Sequence, residues 1–125
     1  MLVIMHDNIE LTTLENIDTP QAQMRLISNL PKETIPFGLF RSSDVEPMDK
    51  VKDWFFTRMI QEKKVAYGKP PKKKEIDRDA LWETVKKTRG TLMTDGWWLK
   101  VHPTDTYEEH SLRGAAGIPA MDFGL

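Results

Sequence analysis

Two adjacent tryptophans, Trp97 and Trp98 in the run WWLKV, constrain this chain more than any other feature. Preceded by the turn signal Asp95-Gly96, the run alternates as a strand does, with Trp97, Leu99 and Val101 on one face. Neighbouring side chains on a strand point to opposite faces, so both faces of this one need cover. One indole can enter a core; the other needs the tail, a neighbouring element or a partner molecule. Trp54 and Trp82 add to the load in a chain that is only 39% apolar and 30% charged, with a mean hydropathy of -0.50. Core packing accounts for two or three of the four, and the remainder is an interface candidate because tryptophan is enriched at binding hot spots.

A length of 125 residues fits one domain and is short for two. The absence of cysteine excludes a disulfide framework, a thiolate metal site and a cysteine nucleophile, and is compatible with a cytoplasmic setting. The opening MLVIMHDNIE lacks the basic start and the apolar length of a signal peptide. No stretch approaches the roughly 20 apolar residues that span a bilayer, so a soluble chain with no membrane partner is expected. The net charge of -1 hides an asymmetry: Lys63 to Arg89 holds ten basic and four acidic residues, and the rest holds eight and fifteen. A segment of +6 therefore sits in a frame of -7.

The pattern predicts a strand over Leu2–Met5 and strand or extended chain over Ile9–Ile17. Thr19 and Pro20 suit a helix start, and Leu26, Ile27 and Leu30 suit its apolar stripe before Pro31 ends it. Thr34–Phe40 reads as a short edge strand or irregular extended segment because of Pro36 and Gly38. A stronger helix is expected from Pro47, capped by Ser43 or Asp44, with Met48, Val51, Phe55 and Met59 on one face. Trp54 flanks that face on one side and Phe56 and Ile60 on the other, widening the apolar sector to roughly 240°. Such a helix is sandwiched between two layers of its own domain, or part of it faces another molecule. After the loop KPPKKK, Asp77 should cap a third helix carrying Leu81, Trp82, Val85 and Leu92, with Gly90 ending or kinking it.

These elements describe a small single α+β domain, residues 1–113, with about three helices on a short, mostly antiparallel sheet, followed by an extended tail, 114–125. Tail residues Ile118, Met121, Phe123 and Leu125 are isolated apolar anchors that can fill pockets on a partner while the backbone pairs with a sheet edge. Met121-Asp122-Phe123 resembles the short acidic–aromatic peptides that dock on replication sliding clamps, without the glutamine that many of them carry at their start. That resemblance implies a docking tail and nothing about the rest of the chain.

No glycine loop for phosphate, nucleophile-elbow serine or HExxH helix is present. His102 and His110, with Asp105, Glu108 and Glu109 between them, form the one imidazole–carboxylate cluster, a donor set for zinc or manganese at a spacing that matches no motif. Lys69, Lys72, Lys73, Lys74, Lys86, Lys87 and Arg89 are candidate phosphate contacts for a nucleic acid. The leading expectation is a non-catalytic protein-interaction or assembly protein, of viral or mobile-element character, in the cytoplasm or a virion. It would bind a protein partner or a second copy through Trp54, Phe56, Ile60, Trp97, Trp98, Ile118, Met121, Phe123 and Leu125, without a cofactor. The alternatives are a nucleic-acid-binding module on segment 63–89 and a metal-dependent enzyme around His102 and His110.

Overall fold

The computed structural model describes residues 1–67 and 77–121, without the side chains of 60–67. The chain opens with β1 (Val3–His6) and β2 (Ile9–Glu10), an antiparallel pair joined through Asp7, which takes a left-handed φ of 52°. β6 (Trp97–Lys100) lies on the other side of β1, pairing Ile4 with Leu99 and Met5 with Trp98. A second antiparallel sheet has the order β3 (Thr12–Glu15), β4 (Gln23–Leu26), β5 (Val45–Pro47). Leu11 and Thr12 join the two sheets. Leu11 N–H donates to Ile4 O at 2.9 Å, Ile27 N–H donates to Leu11 O at 2.8 Å, and Ile4 N–H donates to Thr12 Oγ1 at 3.0 Å.

The helix expected after Thr19 is instead the second strand of a hairpin. Thr19 and Pro20 form the turn, with Thr19 Oγ1 donating to Asn16 O at 2.8 Å. The alternation of Ala22, Met24 and Leu26 prevails over the stripe of Leu26, Ile27 and Leu30 because pairing with β3 supplies a backbone ladder and places Met24 fully inside. Outward-facing Gln23 and Arg25 both donate to the Glu15 carboxylate. Thr34–Phe40 is likewise not a strand. A 3-10 turn at Lys32–Thr34 leads into bends at Gly38 (φ 96°) and Phe40 (φ 57°), left-handed conformations that no strand accommodates.

α1 (Met48–Tyr67) begins later than Ser43 or Asp44 would start it, because Val45–Pro47 are used as β5; Asp49 lies in its first turn. α2 (Arg78–Thr88) starts as expected. The Asp77 carboxylate accepts from Asp79 N–H and Ala80 N–H, and Arg89 closes the helix at φ 60°. The main core lies between the sheets and these helices and contains Ile4, Leu11, Met24, Val51, Phe55, Trp82, Val85 and Leu99. The wide apolar sector of α1 is largely sandwiched: Phe56 meets Trp82 of α2, and Trp54 meets Trp97 of β6.

The opposite face of β1 and β6 carries a second cluster, Val3, Met5 and Trp98, closed over by Tyr107 and Ala120. Tyr107 opens α3 (Tyr107–His110), which turns directly into α4 (Leu112–Ala115). α4 crosses the boundary expected between a domain ending at 113 and an extended tail. A Cβ on Gly114 would fall inside van der Waals contact with Tyr107 O, so glycine permits the two short helices to fold this closely. Beyond α4 the chain stays on its own domain to Met121: Tyr107 Oη donates to Ile118 O at 2.8 Å, and Met121 N–H donates to Asp7 Oδ2 at 2.7 Å. No helix among the described residues is long and apolar enough to cross a membrane.

Candidate functional site

The loop from Pro36 to Ser42 crosses the first half of α1 and leaves a groove of about 690 Å3 beside it. Two indoles form its apolar wall and also anchor the loop. Trp54 Nε1 donates to Phe37 O and Trp97 Nε1 donates to Thr34 O, each at 2.8 Å. The rings meet edge to face at 5.9 Å. Behind them the buried Arg58 guanidinium lies 4.5 Å from the Trp54 ring centroid and pairs with Asp95 through bonds of 2.6 and 3.1 Å. Its Nη2 also donates to the carbonyls of Gly90 and Trp97 at 3.2 Å, so one side chain ties α1 to the end of α2 and to β6.

Phe37 lies on the rim. Its carbonyl is held on Trp54 and its side chain is 87% exposed, the highest value among the exposed large apolar residues described. Charges of both signs share the groove wall, Arg41, Lys50 and Arg58 against Glu46, Asp53 and Asp95. Their formal sum is zero.

The sequence-derived docking residues distribute as follows. Trp54 and Trp97 come together at the groove, half-buried. Trp98 is only 1% exposed, its Nε1 donating to Asp7 O at 2.9 Å, and Phe56 is buried against Trp82; neither presents a docking surface. Ile118 is half-buried and Met121 is exposed. The side chain of Ile60, and Phe123 and Leu125, lie outside the described residues, as do Lys69, Lys72, Lys73 and Lys74. Of the remaining basic candidates, Lys86 pairs with Glu83 at 2.7 Å, Lys87 faces solvent, and Arg89 turns inward to Asp105.

That inward turn also engages the imidazole–carboxylate cluster. Asp105 accepts from Arg89 Nε at 2.7 Å and from the backbone N–H groups of Val101 at 2.9 Å and His102 at 3.1 Å, while His110 Nε2 lies 3.3 Å from its other oxygen. Burial pushes its carboxyl up, but the hydrogen bonds from Arg89 and the two backbone groups more than reverse this and hold it far below the usual carboxylate range. Among the described residues no group of three or more His, Asp or Glu side chains is arranged to hold a metal ion. Asp105 joins α2, β6 and α3 as a structural pin.

A second buried polar cluster lies at the turn between β1 and β2. Asp7 is 1% exposed, and His6 stacks edge to face on Trp97 at 5.3 Å. Burial lowers the His6 imidazole below its ordinary pKa, against the opposing charges of Asp7 and Asp95. Burial, then the Asp7 charge, raises the Tyr107 phenol, with Arg113 opposing. Asp7 and Tyr107 are covered by the segment after α4 through their hydrogen bonds with Met121 and Ile118.

Sequence reasoning missed Phe37, Arg58 and Asp95. The signal for Phe37 was its position: an aromatic held between Pro36 and Gly38 sits on a bend, where it has no strand face to share. Arg58 and Asp95 carried none, being 37 residues apart. Compared with protein-family models, curated proteins and solved structures, the chain matches none.

Proposed function

We propose that this chain is a non-catalytic protein-interaction or assembly domain that docks through the face formed by Phe37, Trp54 and Trp97. One observation carries the reading. A phenylalanine almost wholly in water stands beside a groove walled by two indoles, while the other aromatic side chains among the described residues are buried or half-buried. Aromatic anchors next to apolar pockets with a polar rim are the usual energetic centres of protein interfaces. The occupant is a protein segment with an aromatic or aliphatic anchor and no strong net charge, since the wall's formal charges cancel and pair mostly within the chain. The nucleic-acid alternative draws less support, since Arg89 and Lys86 are engaged in ion pairs within the chain. The enzyme alternative draws less as well, because Asp105 and His110 form part of a structural pin.

The test is photo-crosslinking in native cells with benzoylphenylalanine replacing Phe37, against a control replacing the exposed Thr13. Discrete protein adducts at 37 and none at 13 are expected. Reconstitution with the purified adduct partner should then lose affinity with Phe37→Ser and retain it with Lys87→Glu. Equal adduct patterns at the two positions would refute the reading.

A further inference from the structure

We infer that residues 119–121 are a strap that lifts off independently of the rest of the fold, uncovering the buried Asp7 carboxylate and the apolar cluster around Trp98. The strap lies on the face of β1 and β6 away from the main core, apart from the groove. The chain is firmly held as far as Ile118. There α4 closes with Ile118 N–H donating to Arg113 O and Gly117 N–H to Gly114 O, each at 3.0 Å, around Gly117 at φ 85°. Tyr107 Oη adds its bond to Ile118 O at 2.8 Å. The three residues that follow are held far less. Pro119 is exposed and has no N–H to donate, Met121 is 55% exposed, and half-buried Ala120 packs on the cluster of Val3, Met5, Trp98 and Tyr107. Among the described residues, the hydrogen bond that holds them is Met121 N–H to Asp7 Oδ2 at 2.7 Å.

What lies beneath favours opening and survives it. Asp7 is buried, and its other oxygen, 3.9 Å from His6 Nδ1, accepts no hydrogen bond. A carboxylate oxygen in that state carries a desolvation cost that water removes when the strap lifts. Opening therefore exchanges one charge-assisted bond and the contact of one small side chain for the hydration of a carboxylate. The turn that carries Asp7 is fixed without the strap. Asp7 N–H donates to Gly96 O at 3.0 Å, and its carbonyl accepts from Trp98 Nε1 at 2.9 Å. Gly96 lets the carboxylate lie this close, since a Cβ there would come 2.5 Å from Asp7 Oδ1. The opened state is thus a preformed acidic recess beside Trp98, Met5 and Val3, all buried while the strap is down.

The experiment is native-state hydrogen exchange on the full chain, read by NMR at urea concentrations below the unfolding transition. Leu99 N–H, which donates to Arg89 O from a fully buried residue, is the reference for global opening. After correction for intrinsic rates, the Met121 amide should exchange about 100-fold or more faster than that of Leu99. Its rate should not rise with urea, because lifting three residues exposes little surface. Asp7→Asn keeps an acceptor of the same shape without its charge, and should speed Met121 exchange by about 10-fold and that of Leu99 by less. Met121→Pro removes the donor at a mostly exposed residue. It should speed exchange of the Trp98 indole N–H and leave that of Trp97, bonded to Thr34 O on the other face, unchanged. A Met121 amide that exchanges no faster than Leu99, or with the same urea dependence, would overturn the proposal. Equal acceleration of Met121 and Leu99 in Asp7→Asn would do so as well. Unchanged Trp98 indole exchange in Met121→Pro would also overturn it, since release would then uncover nothing.

Discussion

Replacing Asp105 with alanine removes the acceptor for five donors on three elements. The carboxylate is 5% exposed, and it accepts from Arg89 twice, at 2.7 and 3.3 Å, and from the N–H groups of Val101 and His102, with His110 Nε2 also in contact. Removing one partner of a buried pair strands the other charge and costs about 3–5 kcal/mol. Arg89 and His110 are not fully buried, so water recovers part of their loss, and we take no more than that range although two backbone donors are orphaned as well. A domain of this size is stable by about 5–15 kcal/mol in total. With a urea dependence of about 2 kcal/mol per molar, the unfolding midpoint should fall by about 1.5–2.5 M, followed by tryptophan fluorescence and far-UV circular dichroism. The pH dependence has a definite sign. Because the folded carboxyl titrates below its unfolded value of 3.8, its contribution is complete above that value and disappears as pH falls below it. Wild-type protein should therefore lose more stability than Asp105→Asn as pH falls below about 4. A midpoint shift in Asp105→Ala under about 0.5 M, the size expected of a solvated surface pair, would refute the assignment of a buried pin.

Two further outcomes follow from the same packing. His6 titrates below its unfolded value of 6.5 in the fold, so its neutral form contributes stability above that value that is lost as pH falls through the folded pKa. His6→Gln should accordingly flatten the stability profile as pH falls below 6.5, read by urea midpoints at each pH; an unchanged slope would contradict the burial given to this ring. Trp98→Ala should cost about 3–5 kcal/mol, as for a fully buried indole, whereas Phe37→Ser should stay within about 0.5 kcal/mol, as for an exposed side chain. Similar urea midpoints for these two variants would reverse the placement of both residues.

The elements that were legible in the sequence are those where a local rule had no competitor. Asp77 capped a helix because its carboxylate had two N–H donors in reach and no strand to join. Trp97 and Trp98 required cover on both faces of one strand, and the fold supplies it with a core on one side and Tyr107 on the other. Where two periodicities overlapped, local reading lost. Residues 19–31 satisfy a helical stripe and a strand alternation, and pairing with Thr12–Glu15 on one side and Val45–Pro47 on the other decides between them. Arg89 was misplaced for a related reason: it looks like a surface cation until Asp105, 16 residues later, folds onto it.

The same logic narrows where a partner can act. The premise of surplus aromatic surface rested on four indoles, yet three donate their N–H to a backbone carbonyl of this chain: Trp54 to Phe37, Trp97 to Thr34 and Trp98 to Asp7. Trp82 is buried against Phe55 and Phe56. An indole whose N–H is satisfied internally is free to offer a partner only its carbon face, which suits an apolar anchor better than a polar one. Trp54 and Trp97 are placed in this way, and the bend that satisfies them is the one that holds Phe37 in solvent. Covering the indoles and exposing the phenylalanine are thus one structural event, and a change that released Thr34 or Phe37 from its indole would be expected to alter both walls of the groove together.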